Sequence, residues 1–305
     1  MASWQAHVAV WMVKWRVKRK LRRARDYQES RKILRPERYP VPEGVRIREA
    51  EVGGVSGEWV EAETGGAKGD TSGAGQPVLL YLHGGGYFAC SAETHRAITV
   101  SYARQGFRVY APNYRLAPEH TFPAAVEDAV AVYRGLLDAG YAPQKMTVAG
   151  ESAGGGLTLS LLLTLRAQGI PLPAGATLFS PWTDLAATGE SIVKNSGRCA
   201  MFDGAKIAPS AKMYLGNTDA RDPIASPLYA DLRGLPPLLI HVGADEVLLD
   251  DSTRLAERAK AAGVRVELKI WPVVPHAWQL APQVIPEARQ SLRESAEFLQ
   301  GVMAG

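Results

Sequence analysis

Gly150-Glu151-Ser152-Ala153-Gly154 follows the apolar run Lys145-Met146-Thr147-Val148-Ala149 and precedes another, Leu157 to Arg166. The first run suits a short buried strand and the second a long buried helix. Between them the chain must reverse within a few residues. Gly150 and Gly154 tolerate that reversal, because without a Cβ they admit positive φ and let strand and helix approach closely. Ser152 is then pushed out at the apex, and the helix start places the Ala153 N–H and a partial positive charge beside a reacting carbonyl. A phosphate-binding turn would instead ask for G-x-G-x-x-G or G-x-x-x-x-G-K, and neither pattern is present.

A second strand-like run, Pro77 to Leu82, leads straight into His83-Gly84-Gly85-Gly86-Tyr87-Phe88. Three successive glycines leave amide hydrogens unshielded. Acyl transfer puts charge on the former carbonyl oxygen, and each preorganised N–H donor there is worth roughly 10²–10³ in rate. His83 sits at a strand end and reads as a pin for this loop rather than as a base.

An activated serine needs a base and an orienting acid, which in this class of fold follow it in the order serine, acid, histidine. Only His241 and His276 lie after Ser152. His241 is embedded in the apolar run Leu238 to Val242 and reads as a core residue. His276 lies in a Pro-bounded loop after the strand-like run Val264 to Ile270, where catalytic residues of an open α/β sheet gather. The loop Gly243 to Ser252 carries four carboxylates. Asp250 and Asp251 suit the first turn of the following helix. Asp245 and Glu246 remain as candidates for the acid.

Together these segments resemble the hormone-sensitive-lipase-like branch of the α/β-hydrolases, which includes many bacterial carboxylesterases. The resemblance rests on His83 to Gly86, Tyr114-Arg-Leu-Ala-Pro-Glu-His120 with Phe122 to Ala125, Gly150 to Gly154, and the Asp245 and His276 loops. It implies Ser152 as nucleophile, His276 as base, and the acid about thirty residues before that histidine, at Glu246, where most members have aspartate. Asp245 is the runner-up. It also implies Gly84, Gly85 and Ala153 as oxyanion donors. The implied fold is α/β, a mostly parallel central sheet flanked by helices, with residues 46–181 and 223–305 as the catalytic domain. Residues 1–45 and 182–222 would form a helical cap, and a homodimer is a further expectation. Arg115, Glu119 and Asp128 read as an ionic cluster that fixes the loop below the site.

The expected activity is carboxylesterase action on short- to medium-chain acyl esters through an acyl-enzyme. A lipase or amidase on the same scaffold, or a lipid-binding peripheral membrane protein, are the alternatives. No CxxC pair or HExxH occurs, so neither metal nor cofactor is expected. The 305 residues, 46% apolar and 22% charged, suit one large α/β core. Cys90 and Cys199 make no disulfide framework. A cytoplasmic enzyme acting on a small-molecule ester, without nucleic acid, is the simplest expectation.

The amino-terminal segment differs from the rest. Residues 1–35 carry eleven basic and two acidic residues, which leaves 24 basic against 29 acidic in the remainder. Trp4, Val8, Trp11 and Trp15 recur at helical spacing, which predicts a helix with one aromatic face and one basic face. Packing of this helix on the enzyme body is one reading, and membrane-surface contact is the other. The Gly-rich stretch 65–75 reads as a surface turn.

Overall fold

The computed structural model describes residues 2–35, 39–63 and 77–304; the Gly-rich stretch lies outside them. Among the described residues eight strands form one sheet: β1 (Val45–Val52), β2 (Val55–Ala62), β3 (Val78–Leu82), β4 (Arg108–Pro112), β5 (Met146–Glu151), β6 (Gly175–Phe179), β7 (Leu238–Gly243) and β8 (Val266–Trp271). Their spatial order is β1-β2-β4-β3-β5-β6-β7-β8. β2 runs antiparallel to both β1 and β4, and the other neighbours are parallel.

The helices are α1 (Trp4–Val13), α2 (Arg19–Arg23), α3 (Tyr27–Leu34), α4 (Arg96–Ala103), α5 (Ala124–Asp138), α6 (Ala153–Ala167), α7 (Ser191–Lys194), α8 (Ile207–Leu215), α9 (Leu249–Ala261) and α10 (Pro286–Ala304). Strand periodicity explains their division into two layers. Val78, Leu80 and Leu82 of β3 join the core under α5, α6 and α9. Leu79 and Tyr81 point the other way, into the core under α4 and α10. The parallel strands are apolar on both sides because both faces are covered.

Two segments stand apart from this sandwich: the amino-terminal helices and the stretch from Trp182 to Asp222. They are tied to each other. Lys18 is buried and donates to the carbonyls of Ser196 and Cys199, and Arg22 pairs with Asp203 at 3.1 Å. Burial pulls the Lys18 ammonium below its ordinary value, since two carbonyls replace water only in part. Arg31 of α3 donates to the carbonyls of Phe88 and Ala117 and pairs with Glu119.

Glu119 is therefore spent on α3, which corrects the expected ionic cluster. Arg115 instead takes Asp128, bonded through both the Arg115 N–H and its guanidinium, together with Glu127. The amino-terminal helix also departs from expectation. It meets the body through Ala6 and Ala9, packed with Trp271, Trp278 and Ala288, while its tryptophans face outward. Small residues allow the close approach that a tryptophan face would prevent. Its charge is segregated lengthwise rather than by face, for no Lys or Arg precedes Lys14.

Candidate active site

Ser152 sits between β5 and α6 with φ 56° and ψ −120°, an unusual conformation for a side-chain-bearing residue. Neighbouring chain holds it there. Its N–H donates to the Phe179 carbonyl at 2.8 Å, and its carbonyl accepts from Gly156 and Trp182 N–H. The flanking glycines have a steric reason. A Cβ on Gly150 would lie 2.2 Å from the Gly154 oxygen, and one on Gly154 would lie 2.0 Å from the Leu82 oxygen. Because both clashes are with backbone, Gly150→Ala and Gly154→Ala should each lower unfolding stability by about 2–3 kcal/mol or more, read as a fall in urea midpoint.

Parallel pairing of β3 with β5, with Leu82 opposite Gly150, brings the His83 to Gly86 loop alongside Ser152. The ends of β6, β7 and β8 supply the rest of the site, as expected at the carboxyl edge of such a sheet. Ser152, His276, Gly85 and Gly86 line one cavity of about 410 Å³. Its apolar wall includes Phe88, Trp182, Met201, Phe202, Ile207 and Met213.

His276 is buried, and its Nδ1 lies 2.5 Å from Glu246 Oε2. The other Glu246 oxygen accepts from the Gly243 N–H and the Ser180 hydroxyl, each at 2.6 Å. Asn195 donates to the Glu246 carbonyl at 2.9 Å, so the 182–222 segment helps hold the acid loop. Asp245 points elsewhere. It is half exposed and pairs with Arg198 at 2.9 Å.

Burial disfavours a charged imidazole at His276, but the Glu246 carboxylate and, behind it, Glu151 outweigh burial and raise its pKa above the ordinary value. With Nδ1–H committed to Glu246, Nε2 is the nitrogen left to act. Among the described residues this buried Nε2 has no hydrogen-bond partner, and no bond joins it to the Ser152 hydroxyl; both atoms belong to residues of the same cavity wall. The nearest carboxylate oxygen, Glu151 Oε1, is 3.9 Å away.

The glycine loop differs in detail from expectation. Gly84 N–H is turned to His95 Nε2, 3.3 Å away, and a Cβ on Gly84 would strike the Glu151 carboxylate at 2.2 Å. Gly84 thus makes room for a buried pair, His95 Nε2 to Glu151 Oε2 at 2.9 Å. Gly85 and Gly86 take the cavity wall, and among the described residues no acceptor is recorded for their N–H groups. Ala153 is the first residue of α6, so its N–H has no acceptor within the helix. His83 behaves as a pin: its Nδ1 meets the Gly84 carbonyl at 2.7 Å, its ring stacks on Tyr114, and burial pushes it down to about 3.

His95, Glu151 and Ser180 were not singled out in the sequence. Ser180 had a usable signal, since it directly follows a strand at the sheet's carboxyl edge. His95 had none, because only the β3–β5 pairing brings it to Glu151. His241 is a core residue, bonded to Ser291 and pushed down to about 4 by burial. Among the described residues no cluster of His, Cys, Asp and Glu is arranged to hold a metal ion.

Comparison with known proteins bears on the family and the fold. Residues 79–280 match the family model described as the alpha/beta hydrolase fold. An acetyl-hydrolase of Streptomyces hygroscopicus is 46% identical over 224 residues, 73% of this chain and 75% of the relative. An esterase of Acinetobacter venetianus is 36% identical over 85% of this chain and 84% of its own. The crystal structure of an esterase from the bacterial hormone-sensitive lipase family superposes with a TM-score of 0.90 at 41% identity, covering 99% of both chains. With a family match across two thirds of its length and relatives that cover most of it, the chain belongs to the α/β-hydrolase fold family, in its hormone-sensitive-lipase-like branch.

Proposed function

We propose that this carboxylesterase hydrolyses short- to medium-chain acyl esters through an acyl-enzyme, with Ser152 as nucleophile, His276 as base and Glu246 as the acid that orients it. One observation carries this reading: a buried imidazole whose Nδ1 is fixed by a carboxylate and whose free Nε2 shares a cavity wall with a serine on a strained turn. Ser152 Oγ attacks the ester carbonyl while its proton passes to His276 Nε2. The oxyanion is held by the N–H groups of Gly85, Gly86 and Ala153, with Gly84 acting behind them as the spacer for Glu151. Collapse expels the alcohol, which takes the proton back from Nε2. Water then repeats the sequence on the acyl-enzyme and releases the carboxylic acid. Glu246 keeps the tautomer and stabilises the imidazolium without taking the proton. The His95–Glu151 pair positions the glycine loop and adds negative potential near Nε2.

The raised His276 pKa sets a sign for pH dependence. The base works neutral, so kcat/KM should rise with pH through a midpoint above the ordinary histidine value of 6.5, and Glu246→Gln should move that midpoint down. A rising limb at or below the ordinary value would count against the assigned pair. The same shift stabilises the fold in full below the unfolded histidine's pKa, and that contribution is lost as pH climbs through the raised one.

The amino-terminal helices and residues 182–222 act together as the cap, since both line the cavity. The cavity volume of about 410 Å³ supports a short- to medium-chain substrate range. Each methylene buried is worth about 0.8 kcal/mol, or roughly fourfold, so butyryl esters, longer by two methylenes, should exceed acetyl esters by about fifteenfold in kcat/KM until the space is full. Long-chain esters should then fall away, and a rate series on p-nitrophenyl esters from acetyl to palmitoyl reads this directly. A maximum at palmitoyl would replace the esterase reading with a lipase. Two free thiols, Cys90 and Cys199, support a reducing, cytoplasmic setting. Exposed Ile270 on the edge strand β8 supports pairing of two copies there.

A further inference from the structure

α1 and the π-helical turn Lys14–Lys18 that continues it place three tryptophans in solvent, and among the described residues none of them has a ring contact with the body of the protein. Trp4, Trp11 and Trp15 are 70%, 65% and 54% exposed, joined by Val8 and Met12, and Trp11 and Trp15 stack on each other with ring centroids 6.2 Å apart. Positions 4, 8, 11 and 15 share one side of a helix, so this is a continuous stripe. The opposite side, through Ala6 and Ala9, is the one packed on the enzyme. The stripe is therefore held rigidly outward. Ser3 fixes its start by bonding both oxygens of Glu287, and buried Lys18 fixes the far end.

Directly after the stripe the chain turns basic. Arg16, Arg19, Lys20 and Arg23 are exposed, and none makes an ion pair among the described residues. Arg22 and Arg25 of the same run reach the wall of the catalytic cavity. Tryptophan settles where apolar chains meet polar headgroups, and unpaired Arg and Lys settle where phosphates lie. A second copy of the chain fits this surface poorly, since self-association would bring two uncompensated cationic runs together. No described helix is long and apolar enough to cross a bilayer, so the contact is with a surface.

We propose that α1 and the basic run after it form a docking surface for an anionic phospholipid bilayer, with the tryptophan stripe seated in the headgroup region and Arg16, Arg19, Lys20 and Arg23 against the phosphates. The cavity wall formed by Arg22 and Arg25 is then held close to the lipid, where esters partitioned into the surface are concentrated. The docking stands independently of the catalytic assignment, because none of its tryptophans or unpaired cations lines the cavity.

The test is sedimentation of the full chain with vesicles of phosphatidylcholine alone or mixed with phosphatidylserine. Wild-type protein should partition at least about tenfold more strongly onto the mixed vesicles, with a blue shift in tryptophan emission and weakening as salt is raised. Trp4→Ala/Trp11→Ala/Trp15→Ala and, separately, Arg16→Glu/Arg19→Glu should each lose about tenfold of that partition. Both should keep turnover of a soluble acetyl ester within about twofold, which excludes misfolding as the cause. The proposal is overturned if wild type stays in the supernatant, if both variants sediment like wild type, or if sizing without vesicles gives a wild-type dimer that the tryptophan variant converts to monomer.

Discussion

Ser152→Ala should lower kcat by about 10⁶-fold, because removing the nucleophile of a serine triad costs about as much as removing the whole triad. What remains would come from binding and the oxyanion donors, roughly 10³–10⁴ over the uncatalysed reaction. The variant should fold normally. Among the described residues the Ser152 hydroxyl makes no hydrogen bond, and the strained backbone is held by the Phe179, Gly156 and Trp182 main chain rather than by the side chain. Stopped-flow hydrolysis of p-nitrophenyl acetate should show neither burst nor turnover, with an unchanged circular dichroism spectrum. Residual activity above about 1% of wild type would mean another group attacks the ester.

The second large effect separates two adjacent carboxylates. Glu246→Gln keeps shape but replaces an acceptor by a group that is half donor, in a place where three donors converge: Gly243 N–H, Ser180 Oγ–H and His276 Nδ1–H. Whichever way the amide is turned, one donor faces another. The imidazole then loses its orientation or its tautomer, for which a fall of about 10⁴ in kcat is the expected scale. Asp245→Asn should stay within about threefold of wild type, since an exposed ion pair of this kind is worth little. Steady-state kinetics on both variants at one pH suffices. Equal and modest losses would remove Glu246 from its assigned role.

Most elements of the fold were legible because strong local patterns set them. The run read as Pro77 to Leu82 is Val78–Leu82, the run read as Lys145 to Ala149 is Met146–Glu151, and the helix read from Leu157 begins at Ala153. The last difference is physical. α6 opens with three glycines after Ala153, which carry no apolar signal, yet Gly155 and Gly156 are glycine because Pro181 and the Trp182 carbonyl press against them. Short-range reading detects periodicity and misses such contacts.

The same division runs through the site. From sequence alone came the α/β class, Ser152 on its glycine-flanked turn, a glycine loop fit for an oxyanion, and His276 as the histidine in a strand-end loop, because each depends on residues within a few positions of one another. Local patterns left Asp245 and Glu246 open and only the family resemblance favoured Glu246, the one that meets His276 in the structure; tertiary structure alone decided that Gly84 is turned from the cavity toward His95, that Glu119 belongs to Arg31, and that the tryptophans look outward. Adjacent acids differ only in the direction their side chains take from a turn. Partners 30, 56 or 88 residues apart are chosen by the packing of strands and helices between them, which no local pattern encodes.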